Sequence, residues 1–299
     1  MGQELARAFP QARLLYQEAD ETLGYSLSAL CFEGPAEVLN DTIHTQPAIF
    51  VTSLAVMRVL EAEGKLQPPA VTAPSMVAGH SLGELAALVA AGAMDPSAGL
   101  RLVRERGRLM KLAGERSPGG MAAVLKMDDA DVEKACREAA DEVGKAVQIA
   151  NYNSPGQVVI SGDSEALARA IELLRERGGR RIIPLAVSIA AHSPLMATVV
   201  EEYRAAVDAT PLRAPDLQVV ANISARPLLT VDETRDELAG QLTWPVRWTA
   251  SMQWMVGQGV TRFIELGPGQ VLSKLMQRIE PTVEAVSVGD LASIEALAP

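Results

Sequence analysis

The spacing of apolar and polar residues predicts a chain in which helices alternate with short strands. Helices are predicted over residues 3–9 and 46–63, and a proline-rich connection follows at Pro68, Pro69 and Pro74. Further along, apolar runs of strand length alternate with helical patterns. This alternation predicts an α/β fold, in which helices cover a mainly parallel sheet.

A nucleophile elbow is predicted around Ser81. The short apolar run 75–78 precedes Gly79-His80-Ser81-Leu82-Gly83, and an alanine-rich helix follows to about residue 91. In a G-x-S-x-G turn between strand and helix, the serine hydroxyl is lifted out of the sheet and glycines tolerate the crowding on either side. The helix N-terminus and the Leu82 N–H favour a developing oxyanion. The alternative interpretation is an ordinary glycine-rich turn.

A separate unit is predicted over residues 119–187. The pattern gives a strand at 121–127, a helix at 128–143, strands at 146–152 and 157–161 joined by turn residues 153–156, a helix at 163–177 and a strand at 181–187. This βαββαβ order is that of a ferredoxin-like unit, inserted here into a larger domain. The flanking sequence continues the α/β pattern. Asp95 is expected to cap a helix with Pro96 at its first position, and strands at 217–223 and 262–266 flank a helix around 246–257.

A serine nucleophile needs a base, and the chain has 3 histidines. His80 adjoins Ser81, so its side chain is expected to leave the turn in another direction. His192 follows a strand, where α/β sites lie, and is favoured over His44, which precedes a helix in a polar segment. No acidic third member stands out, so a Ser–His dyad is as acceptable as a triad.

Arg106 lies on the apolar face of its predicted helix. Its neighbours three and four positions away are Leu102, Val103, Leu109 and Met110. A buried guanidinium is costly unless an anion pairs with it. That anion is either a carboxylate elsewhere in the fold or the carboxylate of a substrate, held in the bidentate geometry that arginine favours.

Composition limits the classes of partner. The formal net charge of −10 argues against nucleic acid and anionic membranes. No uninterrupted apolar run reaches the roughly 18 residues of a membrane span, and no signal peptide is recognised. Cys31 and Cys136 match no metal pattern and are expected to be reduced, which indicates the cytoplasm. Four arginines at 175, 177, 180 and 181 are the densest basic group, either a docking patch for an acidic partner or a solvated helix end.

Several blocks in order resemble one family. They are residues 34–37, 45–48, 79–84, 106–107, 119–121, 150–162, 192–196, 244–248 and 265–269. Over essentially its whole length the chain is similar to the bacterial malonyl-CoA:acyl-carrier-protein transacylases and, more distantly, to polyketide-synthase acyltransferase domains. The resemblance implies a hydrolase-like large domain, 1–118 and 188–299, with a ferredoxin-like small domain, 119–187. It also implies malonyl-CoA and acyl carrier protein as partners, with coenzyme A thioester as substrate, no bound cofactor or metal, and a monomer.

The resemblance also implies roles for single residues. Ser81 is acylated, and His192 acts as base and then as acid. Arg106 grips the malonyl carboxylate, and Gln46 lies near the site. The main-chain carbonyl of Gln241 orients the histidine in place of an acid.

One departure from the family pattern concerns the start of the chain. Relatives open with a strand and a Gly-Gln-Gly-Ser type of loop that supplies a second oxyanion N–H. Met1-Gly2-Gln3-Glu4-Leu5 instead resembles the start of the helix that follows. We therefore expect the first strand of the large domain to be missing and Met1 to be an internal methionine of the natural protein. An apolar slot beside unpaired strands would result.

Three alternatives stay open at this point. The first is a free-standing polyketide acyltransferase with another extender unit, since Ile189-Ala190-Ala191 before His192 matches no substrate signature. The second is an α/β-hydrolase that uses water as the acceptor. The third is an N-terminally truncated scaffold with weak activity or none.

Overall fold

The computed structural model describes residues 1–66 and 75–297, so the predicted proline-rich connection lies outside the described residues. The helices of the described chain are Gln3–Ala8 (α1), Pro10–Leu23 (α2), Leu27–Glu33 (α3), Ala36–Leu39 (α4), Thr42–Ala62 (α5), Gly83–Ala90 (α6), Pro96–Arg116 (α7), Asp129–Val143 (α8), Ser164–Glu176 (α9), Val200–Ala209 (α10), Val231–Gly240 (α11), Trp248–Gly257 (α12), Val271–Ile279 (α13) and Leu291–Ala296 (α14). A 3₁₀ helix, Pro194–Val199, leads into α10.

The strands of the described chain form three sheets. They are Met76–Ala78 (β1), Gly119–Leu125 (β2), Val147–Ser154 (β3), Gln157–Asp163 (β4), Arg181–Pro184 (β5), Gln218–Val220 (β6), Pro227–Leu228 (β7), Arg262–Leu266 (β8) and Glu284–Val288 (β9). The sheet orders are β1-β6-β7, β3-β4-β2-β5 and β8-β9.

The middle of the chain has the predicted βαββαβ order. β2, β3, β4 and β5 pair only antiparallel, and α8 and α9 cover the sheet with a core of their own. The predicted four-residue turn is too long, because β3 continues through Ser154, which pairs with Gln157. Pro155 and Gly156 alone make the turn, and Gly156 adopts the positive φ of 69° that such a tight hairpin favours.

The rest of the chain contains the predicted parallel strand pairs, divided between two sheets. β1 pairs in parallel with β6, and β8 pairs in parallel with β9, without hydrogen bonds between the two pairs among the described residues. Both pairs nevertheless separate the same two cores. Val77 and Ile264 face the larger core, whereas Ala78 and Phe263 face the smaller one. The two sheets therefore lie in one layer.

The helix α5 passes through the larger core. Thr42–Ala62 is long and apolar enough to cross a membrane, yet 67% of its most apolar window is buried inside the protein. The core helix of a globular protein is buried in this way, so the length and apolar character of α5 do not indicate a membrane span.

The helix α7 carries Arg106 into the large core. Asp95 occupies its N-cap position and Pro96 its first turn, as predicted, but the Asp95 side chain caps no helical N–H. It bonds instead to Arg213 at 3.1 Å. The apolar stripe of α7 faces inward, so Arg106 is buried with 1% exposure.

Candidate active site

Ser81 lies at a strained turn between β1 and α6. Its φ is 52°, in the left-handed region that residues with a Cβ avoid. The turn is possible because Gly79 has no side chain: a Cβ there would lie 1.9 Å from the backbone carbon of Gly83. At Gly83 itself an added Cβ would meet no atom within 4 Å, so the predicted crowding on both sides of the serine is wrong for the second glycine.

The structure brings His192 to Ser81. Nε2 of the imidazole lies 2.7 Å from Ser81 Oγ, although 111 positions separate the two residues. Nδ1 lies 2.8 Å from the main-chain carbonyl of Gln241 and 3.2 Å from that of Trp244. Because carbonyl oxygens only accept, Nδ1 carries the proton and Nε2 is left to accept one from the serine.

Burial keeps the imidazole neutral. His192 is 3% exposed, and desolvation, followed by the charge of Arg106, lowers its pKa from 6.5 to about 3. A main-chain carbonyl contributes a dipole rather than a full negative charge at Nδ1, so it orients the ring and raises the pKa less than an aspartate would. The side chain is therefore a base in its unprotonated form at neutral pH.

The other two histidines lie away from the serine hydroxyl. His44 contacts the hydroxyl of Tyr25 at 3.3 Å and stacks edge-on against the same ring. His80 leaves the turn in the direction of the small sheet, as expected, where Nε2 lies 2.8 Å from Asn153 Oδ1. Both rings have structural partners.

Arg106 reaches the serine from α7. Nη2 donates to Ser81 Oγ at 3.0 Å and to Gln241 Oε1 at 2.8 Å, while Nη1 donates to Gln46 Oε1 at 2.7 Å. No carboxylate forms an ion pair with Arg106 within the described ranges 1–66 and 75–297. The predicted alternative, in which a carboxylate of the fold contacts this guanidinium, is therefore not observed in these ranges. A guanidinium held by two neutral amides beside a nucleophile is ready to accept an anionic group.

The main-chain N–H of Leu82 is free to act on an oxyanion. It has no acceptor among the residues that the structure describes, and Leu82 is the N-cap residue of the helix α6. The neighbouring N–H of Ser81 is already used, because it donates to Asn222 Oδ1 at 2.7 Å. The geometry thus offers one oxyanion donor from the turn.

Two buried residues of the site were missed as candidates in the sequence. Asn222 accepts from the Ser81 N–H and donates to the Gly79 carbonyl at 2.7 Å, so it braces both sides of the turn. Its position in the sequence could have identified it, because it follows β6, the parallel neighbour of β1. Polar residues at the ends of neighbouring parallel strands lie close together. Glu84, inside a matched block but given no role, is wholly buried behind the turn.

The small sheet also touches the site. Gln148 on β3 donates through Nε2 to the main-chain carbonyl of His192 at 2.8 Å. His192 has a φ of 56°, so this bond braces a backbone conformation that is strained for a residue with a side chain. Together with the contact between Asn153 and His80, it couples the small sheet to both the nucleophile turn and the histidine loop.

Comparison with known proteins gives full-length matches. Residues 1–294 match the model of the acyl transferase domain family. The malonyl CoA-acyl carrier protein transacylase of Bacillus subtilis (strain 168) is 41% identical over 295 residues, which cover 99% of this chain and 90% of that protein. The polyketide biosynthesis malonyl CoA-acyl carrier protein transacylase of the same organism is 39% identical, with 93% of this chain and 92% of that protein covered.

Solved structures agree with the sequence matches. One contains a type II polyketide synthase acyl-carrier protein in complex with its malonyl-transacylase; it has a TM-score of 0.94 and 39% identity and covers 100% of this chain and 94% of that one. The likeness extends over the strand–turn–helix that carries Ser81 and over the loop that carries His192. The chain therefore belongs to the acyl transferase domain family, and within it to the malonyl-CoA:acyl-carrier-protein transacylases and their polyketide relatives.

Proposed function

We propose that this chain transfers a malonyl group from malonyl-CoA to the phosphopantetheine thiol of an acyl carrier protein, through an acyl-enzyme on Ser81. One observation carries the proposal. Ser81 Oγ lies 2.7 Å from the imidazole of His192 and 3.0 Å from the guanidinium of Arg106. A hydroxyl between a neutral base and a buried cation suits acyl transfer from a substrate that carries its own carboxylate.

In the first half-reaction, Nε2 of His192 takes the proton of Ser81 as Oγ bonds to the thioester carbonyl carbon. The oxyanion accepts the N–H of Leu82, which lies at the helix N-terminus. The carbon–sulfur bond then breaks, and the sulfur of coenzyme A leaves with the proton from His192. In the second half-reaction, the carrier thiol gives its proton to His192 as its sulfur attacks the carbonyl carbon of the Ser81 ester. The bond between that carbon and Oγ then breaks, and Oγ takes the proton back from His192.

Arg106 selects the acyl group. Malonyl carries a carboxylate one methylene away from the reacting carbonyl, and acetyl carries none. Because Nη2 contacts Oγ itself, a carboxylate bound by Arg106 lies next to the attacked carbon, as the short malonyl group requires. The carboxylate replaces Oγ as an acceptor of Arg106, and Gln46 and Gln241 keep the guanidinium in place.

A mass measurement tests the proposed function. The protein is mixed with malonyl-CoA in the absence of carrier protein and digested, and the peptide that contains Ser81 is expected to gain one malonyl group. The Ser81→Ala variant serves as the blank. If Ser81 stays unmodified while a carrier protein is still malonylated, the acyl-enzyme is wrong; if neither is modified, the scaffold alternative is favoured.

A polyketide role is the second candidate, and it rests on the 39% identity to the polyketide transacylase of Bacillus subtilis. The reaction is the same, but the carrier and the extender unit can differ. Competition between malonyl-CoA and methylmalonyl-CoA for the acyl-enzyme distinguishes the two. We favour malonyl transfer for fatty acid synthesis in the cytoplasm, without a bound cofactor.

We propose a ferredoxin-like domain at 119–187, because its sheet has a core separate from those of 1–118 and 188–299, which form the hydrolase-like domain. We also propose an unfilled strand position between β1 and the β8–β9 pair. Its support is that both strand pairs lie in one layer between the same cores but share no hydrogen bonds in the part of the chain described.

The arginine group at the end of α9 and the start of β5 suits an acidic carrier protein. Arg175, Arg180 and Arg181 are exposed, and none of them forms an ion pair within residues 1–66 and 75–297. Arg177 differs, since it pairs with Glu138. The chain has a net charge of −10, so its surface as a whole repels an acidic protein. The unpaired arginines give this surface one region that attracts the carrier protein.

A further inference from the structure

A buried carboxyl group lies directly behind the nucleophile turn. Glu84 is in the first turn of α6 and has 0% exposure. Oε1 accepts from the main-chain N–H of Asn222 at 2.9 Å and from its side-chain Nδ2 at 3.0 Å, and Oε2 accepts from Nε2 of Gln241. A carboxyl group without solvent is costly to bury, so three hydrogen bonds from residues of the site indicate a purpose other than packing.

The two amides that Glu84 binds are the ones that hold the reacting groups. Gln241 presents Oε1 to Arg106 at 2.8 Å, and Asn222 presents Oδ1 to the Ser81 N–H at 2.7 Å. An amide has a donor end and an acceptor end, so the acceptor that binds its NH₂ group decides where its oxygen points. If either amide were reversed, an NH₂ group would face the N–H groups of Arg106 or of Ser81.

We propose that Glu84 is a positioning residue, which fixes the orientation of the Gln241 and Asn222 amides and through them the guanidinium of Arg106 and the backbone of Ser81. The inference rests on the proposed roles of Arg106 and Ser81. Two main-chain carbonyls assist, since Gln241 also donates to Ser81 O at 3.0 Å and Asn222 to Gly79 O at 2.7 Å. Both of those carbonyls belong to the turn itself, so Glu84 is the anchor outside it.

A second carboxyl group accompanies Glu84. Glu237 on α11 is 7% exposed and accepts from the Ile223 N–H at 2.7 Å. Burial and the neighbouring Glu237 raise the pKa of Glu84 well above its usual range. Burial lowers the pKa of Arg106, and Tyr203 and Glu84 partly oppose this effect. The carboxyl group of Glu84 lies one amide away from Arg106, so the guanidinium keeps its own donors for a substrate.

The test compares two substitutions that each remove one buried carboxyl group and keep its size. In Glu84→Gln a single oxygen remains, which cannot accept from both amides. We expect kcat/KM for malonyl transfer to fall roughly ten- to a hundredfold, as for other small misplacements of reacting groups, with a smaller fall for acetyl transfer. In the matched control, Glu237→Gln, one oxygen remains to accept from the Ile223 N–H, and both amides keep Glu84 as their acceptor. We expect its activity to stay within about threefold of the wild type.

Selectivity separates positioning from loss of structure. A variant that is only less folded loses malonyl and acetyl transfer equally, whereas a misplaced Arg106 lowers the ratio of malonyl to acetyl transfer. Gln241→Met supplies a second route, because it removes the three hydrogen bonds of the side-chain amide and retains the main-chain carbonyl that binds His192. We expect it to lower the same ratio, even where Glu84→Gln fails to fold.

The outcomes are distinct. The inference is overturned if Glu84→Gln is as active as the wild type, or if Glu84→Gln and Glu237→Gln lose the same activity. It is also overturned if Gln241→Met leaves the ratio of malonyl to acetyl transfer unchanged. Failure of the wild-type protein to transfer malonyl at all would instead overturn the proposed function.

Discussion

The main-chain carbonyl of Gln241 lies 2.8 Å from Nδ1 of His192, in the position where a catalytic triad has a carboxylate. The carbonyl fixes the tautomer but brings no full charge, and the buried ring next to Arg106 has a pKa of about 3. The imidazole that contacts Ser81 therefore stays unprotonated well into acid. This difference from a triad has a measurable consequence.

The first prediction is the titration of His192. Burial, and then Arg106, disfavour the imidazolium, so the folded-state pKa is lowered and the ring stays neutral as the pH falls from 7 to 5. ¹⁵N NMR of the 3 histidines is expected to find a neutral ring with its proton on Nδ1 over this whole interval. Arg106→Ala removes the second cause, so the pKa of His192 is expected to rise. Titration of His192 near 6.5 in the wild type would contradict the arrangement.

The same coupling predicts two different acid limbs in the pH–rate profiles. A bound malonyl carboxylate pairs with Arg106 and weakens its effect on His192, so the pKa of the ring rises in the complex. The acid limb of kcat is therefore expected at higher pH than that of kcat/KM, which reports the free enzyme. The comparison is made on the acylation half-reaction with malonyl-CoA. Coincident limbs would mean that Arg106 does not bind the carboxylate.

The second prediction concerns acyl selectivity. Arg106→Ala removes the buried cation that we assign to the malonyl carboxylate. The loss of kcat/KM for malonyl-CoA is expected to be at least about thirtyfold, or about 2 kcal/mol, while acetyl transfer is kept or increased. Arg108→Ala is the matched control on the same helix, because its side chain is 43% exposed and pairs with Glu105 at the surface. Unchanged selectivity in Arg106→Ala would remove this residue from the site.

The residues that the sequence could predict are those with a local signature. Ser81 has glycines at fixed offsets between a strand and a helix, and Arg106 interrupts an apolar stripe of helical period. His192 could be ranked but not assigned by its position alone, since the distance that matters joins residues 111 positions apart. The role of Gln241 came only from the resemblance, because a main-chain carbonyl leaves no mark on residue type.

The residues that were missed act through tertiary contacts. Asn222 and Glu84 meet behind the turn across 138 positions, and no spacing rule connects them. The arrangement of the sheets also depends on tertiary contacts. Apolar runs of strand length identify strands such as β1 and β8, but hydrogen bonding between strands depends on what lies between them in space.

The third prediction contrasts the two glycines beside Ser81. At Gly79 a Cβ would lie 1.9 Å from backbone atoms that cannot rotate away, so Gly79→Ala is expected to lower the free energy of unfolding by about 1–3 kcal/mol and to displace the turn. At Gly83 a Cβ meets open space at the start of a helix. Gly83→Ala is expected to be neutral or to stabilise by less than about 1 kcal/mol. Urea unfolding of both variants measures the contrast, and equal costs would contradict the backbone geometry of the turn.

The fourth prediction separates carrier docking from acylation. Arg180 and Arg181 are exposed and have no acidic partner in the described parts of the chain. Reversal of their charge therefore breaks no ion pair within these parts and acts on the binding of the carrier protein. For the double variant Arg180→Glu/Arg181→Glu, KM for the carrier protein is expected to rise about three- to thirtyfold, and added salt is expected to reduce the difference from the wild type. Acylation of Ser81 by malonyl-CoA without the carrier is expected to be unchanged, since neither arginine forms a hydrogen bond with Ser81 or His192. Arg7→Glu/Arg13→Glu, a double charge reversal at exposed positions on α1 and α2, is the control for net charge. An equal rise in KM for this control would show that overall charge, rather than this group of arginines, governs the encounter with the carrier.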